Sequence, residues 1–343
     1  MLHAIRVRQG ETEVEVVPFE LYLLPALLAP VFLAWGANRF VDGASALSFN
    51  LGMSPLLIGV LVMGFGTSLP ELLVSLFSSV MGNSGLSLGN AYGSNIINIG
   101  FVLGLAAIIS PVIVQRLVVR RELPLLILAT ALTVFFVMDF ELSRSEGMML
   151  LALFAVLLVY LVWASMREPA EREHSELQDR LEARTIPLGK SINYLVVGLA
   201  IIAICSAALV WSARGIVTNL GVSELVVGVI LLAIGTSLPE LVVIVVAAKR
   251  AEHELALGNV IGSNLFNTLA VVGTAGLIAP SVLDAELVTR DLPVMFAVTA
   301  ALVVMAYGWG RRTGVINKIE GGVLLLGVAS YVGYLIYLTP IFA

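Results

Sequence analysis

The sequence is short of charge and almost free of cysteine and histidine. Only 13% of its 343 residues are Asp, Glu, Lys or Arg, about half the share found in an ordinary soluble domain. With 59% apolar residues and a mean hydropathy of +1.00, such a domain is excluded. A net charge of −5 without any block of like charge offers nothing to a nucleic-acid backbone. Cys205 is the sole cysteine, so neither a disulfide framework nor a thiolate metal site can form within the chain. It lies in an apolar segment and reads as packing. His3, His174 and His253 all fall in polar stretches, so a zinc or copper centre lacks the nitrogen and sulfur ligands it favours. The first twenty residues hold Arg6, Arg8, Glu11, Glu13, Glu15 and Glu20 with no apolar run behind a basic start. That argues against a cleaved signal peptide and for a short solvated tail.

Long apolar runs, by contrast, are plentiful. A spanning helix needs about 20 mostly apolar residues, and ten candidates occur, at residues 20–38, 54–81, 86–109, 122–139, 146–166, 191–213, 223–248, 255–279, 291–309 and 319–339. The one sustained polar stretch, residues 167–190, mixes arginines with glutamates and is too short for a folded regulatory domain. Basic residues collect on one side of the expected topology. Fourteen of the nineteen lysines and arginines, among them Arg116, Arg120, Arg121, Arg167, Lys249 and Arg250, share it with the linker. Both termini are therefore expected outside and the linker in the cytoplasm of a multi-pass cell-membrane protein.

Sliding the chain by 169 residues superposes its halves. Gly59 meets Gly228, Glu71 meets Glu240, Gly93-Ser94-Asn95 meets Gly262-Ser263-Asn264, Pro111 meets Pro280, and Arg121 and Pro124 meet Arg290 and Pro293. Each copy holds five spans, and an odd number sends the second copy into the membrane from the opposite face. The expected fold is an all-α membrane protein of ten transmembrane helices in two inverted five-helix repeats, residues 20–166 and 191–340. Such repeats place a substrate at the midplane between interrupted helices.

The segment G-T-S-L-P-E-L occurs twice, at residues 66–72 and 235–241. A carboxylate at membrane depth marks a functional site by default, and Glu71 and Glu240 occupy matching places. The preceding Pro70 and Pro239 have no N–H for the carbonyls of Gly66 and Gly235, four residues back. Thr67, Ser68 and Glu71 are spaced to share one helical face. The later L-G-N-x-x-G-S-N segments add Ser94 and Asn98, matched by Ser263 and Asn267. Only oxygens are on offer, which suits a hard cation such as Ca²⁺, held by six to eight oxygens at about 2.3 to 2.6 Å. Glycines around the motifs let helices approach closely, and Asn90, Asn95, Asn259 and Asn264 suit interhelical hydrogen bonds or caps. Two carboxylates can be neutralised by one Ca²⁺, two Na⁺ or two protons. Competition for the same oxygens is the minimal requirement for antiport.

The paired G-T-S-L-P-E and G-N-x-x-G-S-N-x-x-N segments resemble the two alpha repeats of the sodium/calcium exchanger family, within the cation/calcium exchanger superfamily. The resemblance covers both repeats, about 52–104 and 221–273. It implies Ca²⁺ exchanged for Na⁺ across the bilayer by alternating access, without cofactor, obligate protein partner or enzymatic activity. By motif position it implies Glu71 and Glu240 as shared calcium and sodium ligands, Ser68, Ser94, Ser237 and Ser263 as hydroxyl ligands, and Thr67 and Thr236 acting mainly through their carbonyls. Carbonyls of Gly64 and Ala233 join them, and Asn98 matches the first-repeat amide. Asn267 stands where well-studied members carry an aspartate, which leaves one carboxylate fewer and makes proton coupling easier. A cation channel lined by carboxylates and an intramembrane hydrolase are the readings from other classes. The interrupted, inverted halves speak against the first, and the absence of a nearby histidine or lysine against the second.

Overall fold

Helices account for nearly all of the computed structural model, which describes residues 5–9, 12–16, 19–82, 84–167, 186–219, 235–307 and 314–338. In chain order they are α1 (Phe19–Leu51), α2 (Pro55–Ile58), α3 (Phe65–Thr67), α4 (Leu69–Val80), α5 (Ser84–Ile97), α6 (Gly104–Ile109), α7 (Leu123–Phe136) and α8 (Arg144–Arg167). After the linker come α9 (Leu188–Asn219), α10 (Leu238–Lys249), α11 (His253–Phe266), α12 (Val272–Ile278), α13 (Leu292–Ala306) and α14 (Lys318–Leu338). Wider π turns join several of them, at Gly59–Gly64, Asn98–Leu103, Val118–Glu122, Asn267–Val271 and Leu287–Asp291. Among the described residues seven helices are long and apolar enough to cross a membrane, or eight if Pro55–Thr67 and Leu69–Val80, bent by 43° at their junction, form one broken span. The segment 122–139 is helical from Val118, but Arg120, Arg121 and Glu122 load its start with charge. Half of the expected span 223–248 and most of the linker lie outside the described residues.

Two expectations change. The N-terminal stretch is a hairpin of β1 (Ile5–Gln9) and β2 (Thr12–Val16) rather than a plain tail. Its register sets Arg6 opposite Glu15 and Arg8 opposite Glu13. Helix α1 runs on to Leu51 instead of ending near residue 38. Its polar second half finds partners on other elements: Asp42 accepts from Arg250 at 2.7 Å, and Asn50 donates to the Ile186 carbonyl at 2.9 Å.

Helices α1 and α9 cross closely. A Cβ on Gly198 would stand 2.7 Å from the Phe40 nitrogen, so only glycine admits that approach. Helix α11 and the turn after it are the innermost part, every residue of the spanning window being buried, and α5 lies nearly as deep. Short strand pairs clamp the ends. Strand β3 (Val112–Val114) pairs with β6 (Gly314–Ile316), and β4 (Glu141–Leu142) with β5 (Ser281–Val282), both antiparallel. Charge at the apolar start of α7 is paired locally, Arg121 donating to Glu122 at 2.6 Å. In the matching place Arg290 donates to Asp291 at 2.7 Å.

Candidate functional site

The two G-T-S-L-P-E segments break their helices in the same way. Ser68 ends the α2–α3 arm at φ −86°, ψ 7°, and Ser237 precedes α10 at φ −85°, ψ 4°. Pro70 and Pro239 occupy the first turn beyond each break, where a missing N–H is harmless. Each break therefore leaves Glu71 or Glu240 at the start of a new helix, pointing inward. Helix α11 carries Ser263 against the first arm, because a Cβ on Gly64 would meet the Ser263 nitrogen at 2.7 Å.

Both carboxylates are fully buried and close enough to repel one another. Neither has a lysine or arginine partner among the described residues. Glu240 Oε1 accepts from Ser68 Oγ at 2.9 Å, so one half supplies a hydroxyl to the other half's acid, and Ser263 Oγ stands 3.4 Å from the same oxygen with its one hydrogen shared with the nearer Gly64 carbonyl. Its Oε2 has no partner, and neither oxygen of Glu71 has one. The hydroxyls of Ser94 and Thr236 stand beside Glu71 without bonding to it. They approach one another at 3.4 Å. Ser237 Oγ and both polar atoms of Asn98 and of Asn267 are buried and unpartnered. Buried polar atoms are nearly always satisfied in folded proteins. Buried acceptors left bare, on two acids without a basic partner, are what a desolvated cation would satisfy.

Of the residues expected at the site from sequence, Ser68, Ser263, Ser94 and Thr236 stand beside the two acids, and Ala233 lies outside the described residues. Thr67 is buried, its hydroxyl donating back to the Met63 carbonyl at 3.0 Å. The Gly64 carbonyl is already occupied, accepting from the Ser68 nitrogen at 3.2 Å and Ser263 Oγ at 3.1 Å. It can reach an ion only on releasing one of them. Asn90 and Asn259 bond between helices rather than cap them. Asn90 Nδ2 donates to the Glu71 carbonyl at 3.1 Å and to Ser75 Oγ at 3.2 Å, and its Oδ1 accepts from Thr236 at 3.4 Å. Asn259 Nδ2 reaches Thr67 Oγ1 at 3.4 Å. Ser75 was not singled out in sequence. The signal was available, since the matching position of the second copy is Ile244.

A helical membrane-type fold with paired buried acids, hydroxyls and amides gathered at interrupted helices defines a cation transporter. Comparison with known proteins agrees. The model of the sodium/calcium exchanger protein family matches residues 21–163 and 190–339, and the chain belongs to that family. It is 42% identical over 311 residues to CaxA of Alkalimonas amylolytica, covering 90% of this chain and 95% of that one. To the sodium/calcium exchanger MaX1 of Methanosarcina acetivorans it is 31% identical over 351 residues, covering 91% and 97%. A solved structure of the sodium-calcium exchanger NCX_Mj superposes with a TM-score of 0.79 at 31% identity, covering 93% of this chain and 99% of that chain. The family consists of antiporters that handle Ca²⁺ and Na⁺ within the membrane, not of enzymes, and no cofactor is indicated.

Proposed function

We propose that this protein exchanges Ca²⁺ for Na⁺ by alternating access, using Glu71 and Glu240 as the common seat of both ions. The observation that carries the reading is the set of buried, donorless oxygens on those two acids, with the hydroxyl of Ser237 and the amides of Asn98 and Asn267 likewise buried and unpartnered. Ser68, Ser94, Ser263 and the carbonyls of Thr67, Thr236, Gly64 and Ala233 complete the shell. Ten transmembrane helices in two inverted repeats, residues 20–166 and 191–340, hold it. The reciprocal strand pairs, β3 with β6 and β5 with β4, support that arrangement, since each repeat lends the other a strand. The basic bias of the loops supports termini outside and a cytoplasmic linker at 167–190.

The test is calcium uptake into vesicles loaded with sodium and reversed by reversing the gradient. Uptake indifferent to sodium removes it as the coupling ion. A second reading, Ca²⁺ against H⁺, is favoured by one observation: amides at both Asn98 and Asn267 leave only two acids, a set that two protons neutralise as completely as one Ca²⁺. It requires uptake driven by a proton gradient in sodium-free medium.

A further inference from the structure

The two acids of the site are held differently. Glu240 is tethered at its carboxylate by the Ser68 hydroxyl at 2.9 Å. Neither oxygen of Glu71 has a donor within hydrogen-bond distance, the Ser94 and Thr236 hydroxyls standing beside it without closing a bond, so its backbone does most to fix where it stands. That backbone is gripped from α5. Asn90 donates to the Glu71 carbonyl and to Ser75 Oγ, and Ser75 in turn donates to the Ser87 carbonyl at 3.1 Å. All three polar side chains are buried, Ser75 and Ser87 completely and Asn90 with 4% exposure. Because Asn90 Oδ1 also receives the Thr236 hydroxyl, the same amide ties the start of α4 to the broken segment of the other half.

The second copy lacks this brace. Ile244 replaces Ser75 and Ala256 replaces Ser87, and Asn259 turns its amide to Thr67 and leaves its Oδ1 without a partner. The brace is present where the carboxylate is bare and missing where the carboxylate is tethered. Ordinary helix-to-helix adhesion would not sort itself in that way.

We infer that Ser75 is a positioning residue for cation binding: its hydroxyl orients the Asn90 amide against the first turn of α4, and the amide sets the place of the otherwise unheld Glu71. This rests on the cation-site reading above. A group held within about half an ångström of its productive place by a second layer of hydrogen bonds binds better than one left to find it, and a ligand pays for any reordering of a loose group.

Ser75→Thr and Ser75→Val differ by a hydroxyl against a methyl at nearly equal volume, so packing changes cancel between them. In proteoliposomes, half-saturating Ca²⁺ for the valine variant is expected to rise roughly fivefold above that of the threonine variant, as for one lost hydrogen bond. The maximal rate should stay the same, and threonine should behave like the parent. Equal half-saturation in the two variants, or a difference confined to the maximal rate, overturns the inference. Should valine prevent folding, Ser75→Ala against Ser75→Thr makes the same comparison. Glu71→Gln is run alongside. If it is inactive while threonine and valine coincide, only the role of Ser75 falls; if it transports normally, the cation site itself falls.

Discussion

At the scale of single residues, the cost of the empty site and its affinity for cations have one origin. A buried carboxylate without a donor forfeits its hydration and recovers nothing until an ion arrives. Two of them facing each other add repulsion. Glu71→Gln and Glu240→Gln should therefore separate binding from stability. Calcium exchange should fall by at least roughly a hundredfold, the scale of removing one partner of a buried charge pair. The calcium-free protein in detergent should melt at or above the parent temperature, because a repelling charge has gone. A large fall in melting temperature in calcium-free buffer would instead make these acids structural. The residues carrying this argument were legible in sequence, because a repeated motif inside an apolar run exposes its acids to simple counting. The unequal tethering of the two acids was not. It depends on which hydroxyl lies across from which oxygen, and the two copies carry the same side chain at every side-chain ligand position.

At the scale of elements, the breaks and the crossings decide what the site can be. Proline spacing foretold an interruption in each G-T-S-L-P-E segment, and the structure puts both at the serine, in nearly identical backbone conformations. The π turns at Asn98 and Asn267 were not legible, since apolar periodicity does not distinguish a single widened turn from the α-helix around it. Nor was the N-terminal hairpin, whose alternation of charged and apolar residues over five positions is a strand signal that charge content alone obscured. The glycines of α11 were read as allowing close approach, and the packing bears this out. A Cβ on Gly262 would lie 2.3 Å from the Val60 carbonyl oxygen, whereas one on Gly66 would meet nothing nearer than the Leu199 side chain at 3.4 Å. Gly262→Ala should thus cost about 1 to 3 kcal/mol in stability, the usual penalty of overpacking, and impair transport. Gly66→Ala should cost much less. Thermal melts of both variants against the parent check this, and equal melting temperatures would mean that the crossing yields.

The turn between α10 and α11 makes a second prediction at the same scale. Burial pushes the Glu252 carboxyl up from its ordinary 4.5 to about 7, with Asp42 adding to the rise and Arg250 and Ser45 opposing it. For Glu252 the folded state binds its proton more tightly than the unfolded state. Its contribution to stability is therefore complete below about pH 4.5 and is lost as pH rises through about pH 7. Glu252→Gln should flatten that part of the melting-temperature profile. Parallel profiles for variant and parent would assign the slope to another group.

For the whole molecule, the charge of the site determines whether the exchange cycle senses voltage. Two acids without a basic partner give the empty site a charge of −2, and one Ca²⁺ brings it to zero. Two Na⁺ do the same, so every loaded form that crosses is neutral and one Ca²⁺ leaves for two monovalent ions. A third Na⁺ would leave the loaded site positive at membrane depth, where an unpaired charge is expensive, and Asn267 supplies no carboxylate to offset it. Transport should therefore be electroneutral. In vesicles clamped with potassium and an ionophore, a membrane potential should leave the calcium accumulation ratio unchanged. A net charge moved per cycle would alter that ratio roughly fiftyfold per 100 mV, from about 2.3 kcal/mol per charge. Asn267→Asp restores a third acid at a buried, unpartnered position. Its empty site carries −3, so Ca²⁺ alone leaves −1 and three Na⁺ reach zero. That variant should acquire voltage dependence if it still exchanges. Voltage-sensitive accumulation in the parent would show that a charge beyond Glu71 and Glu240 crosses with the ions, and the two-acid count would be wrong.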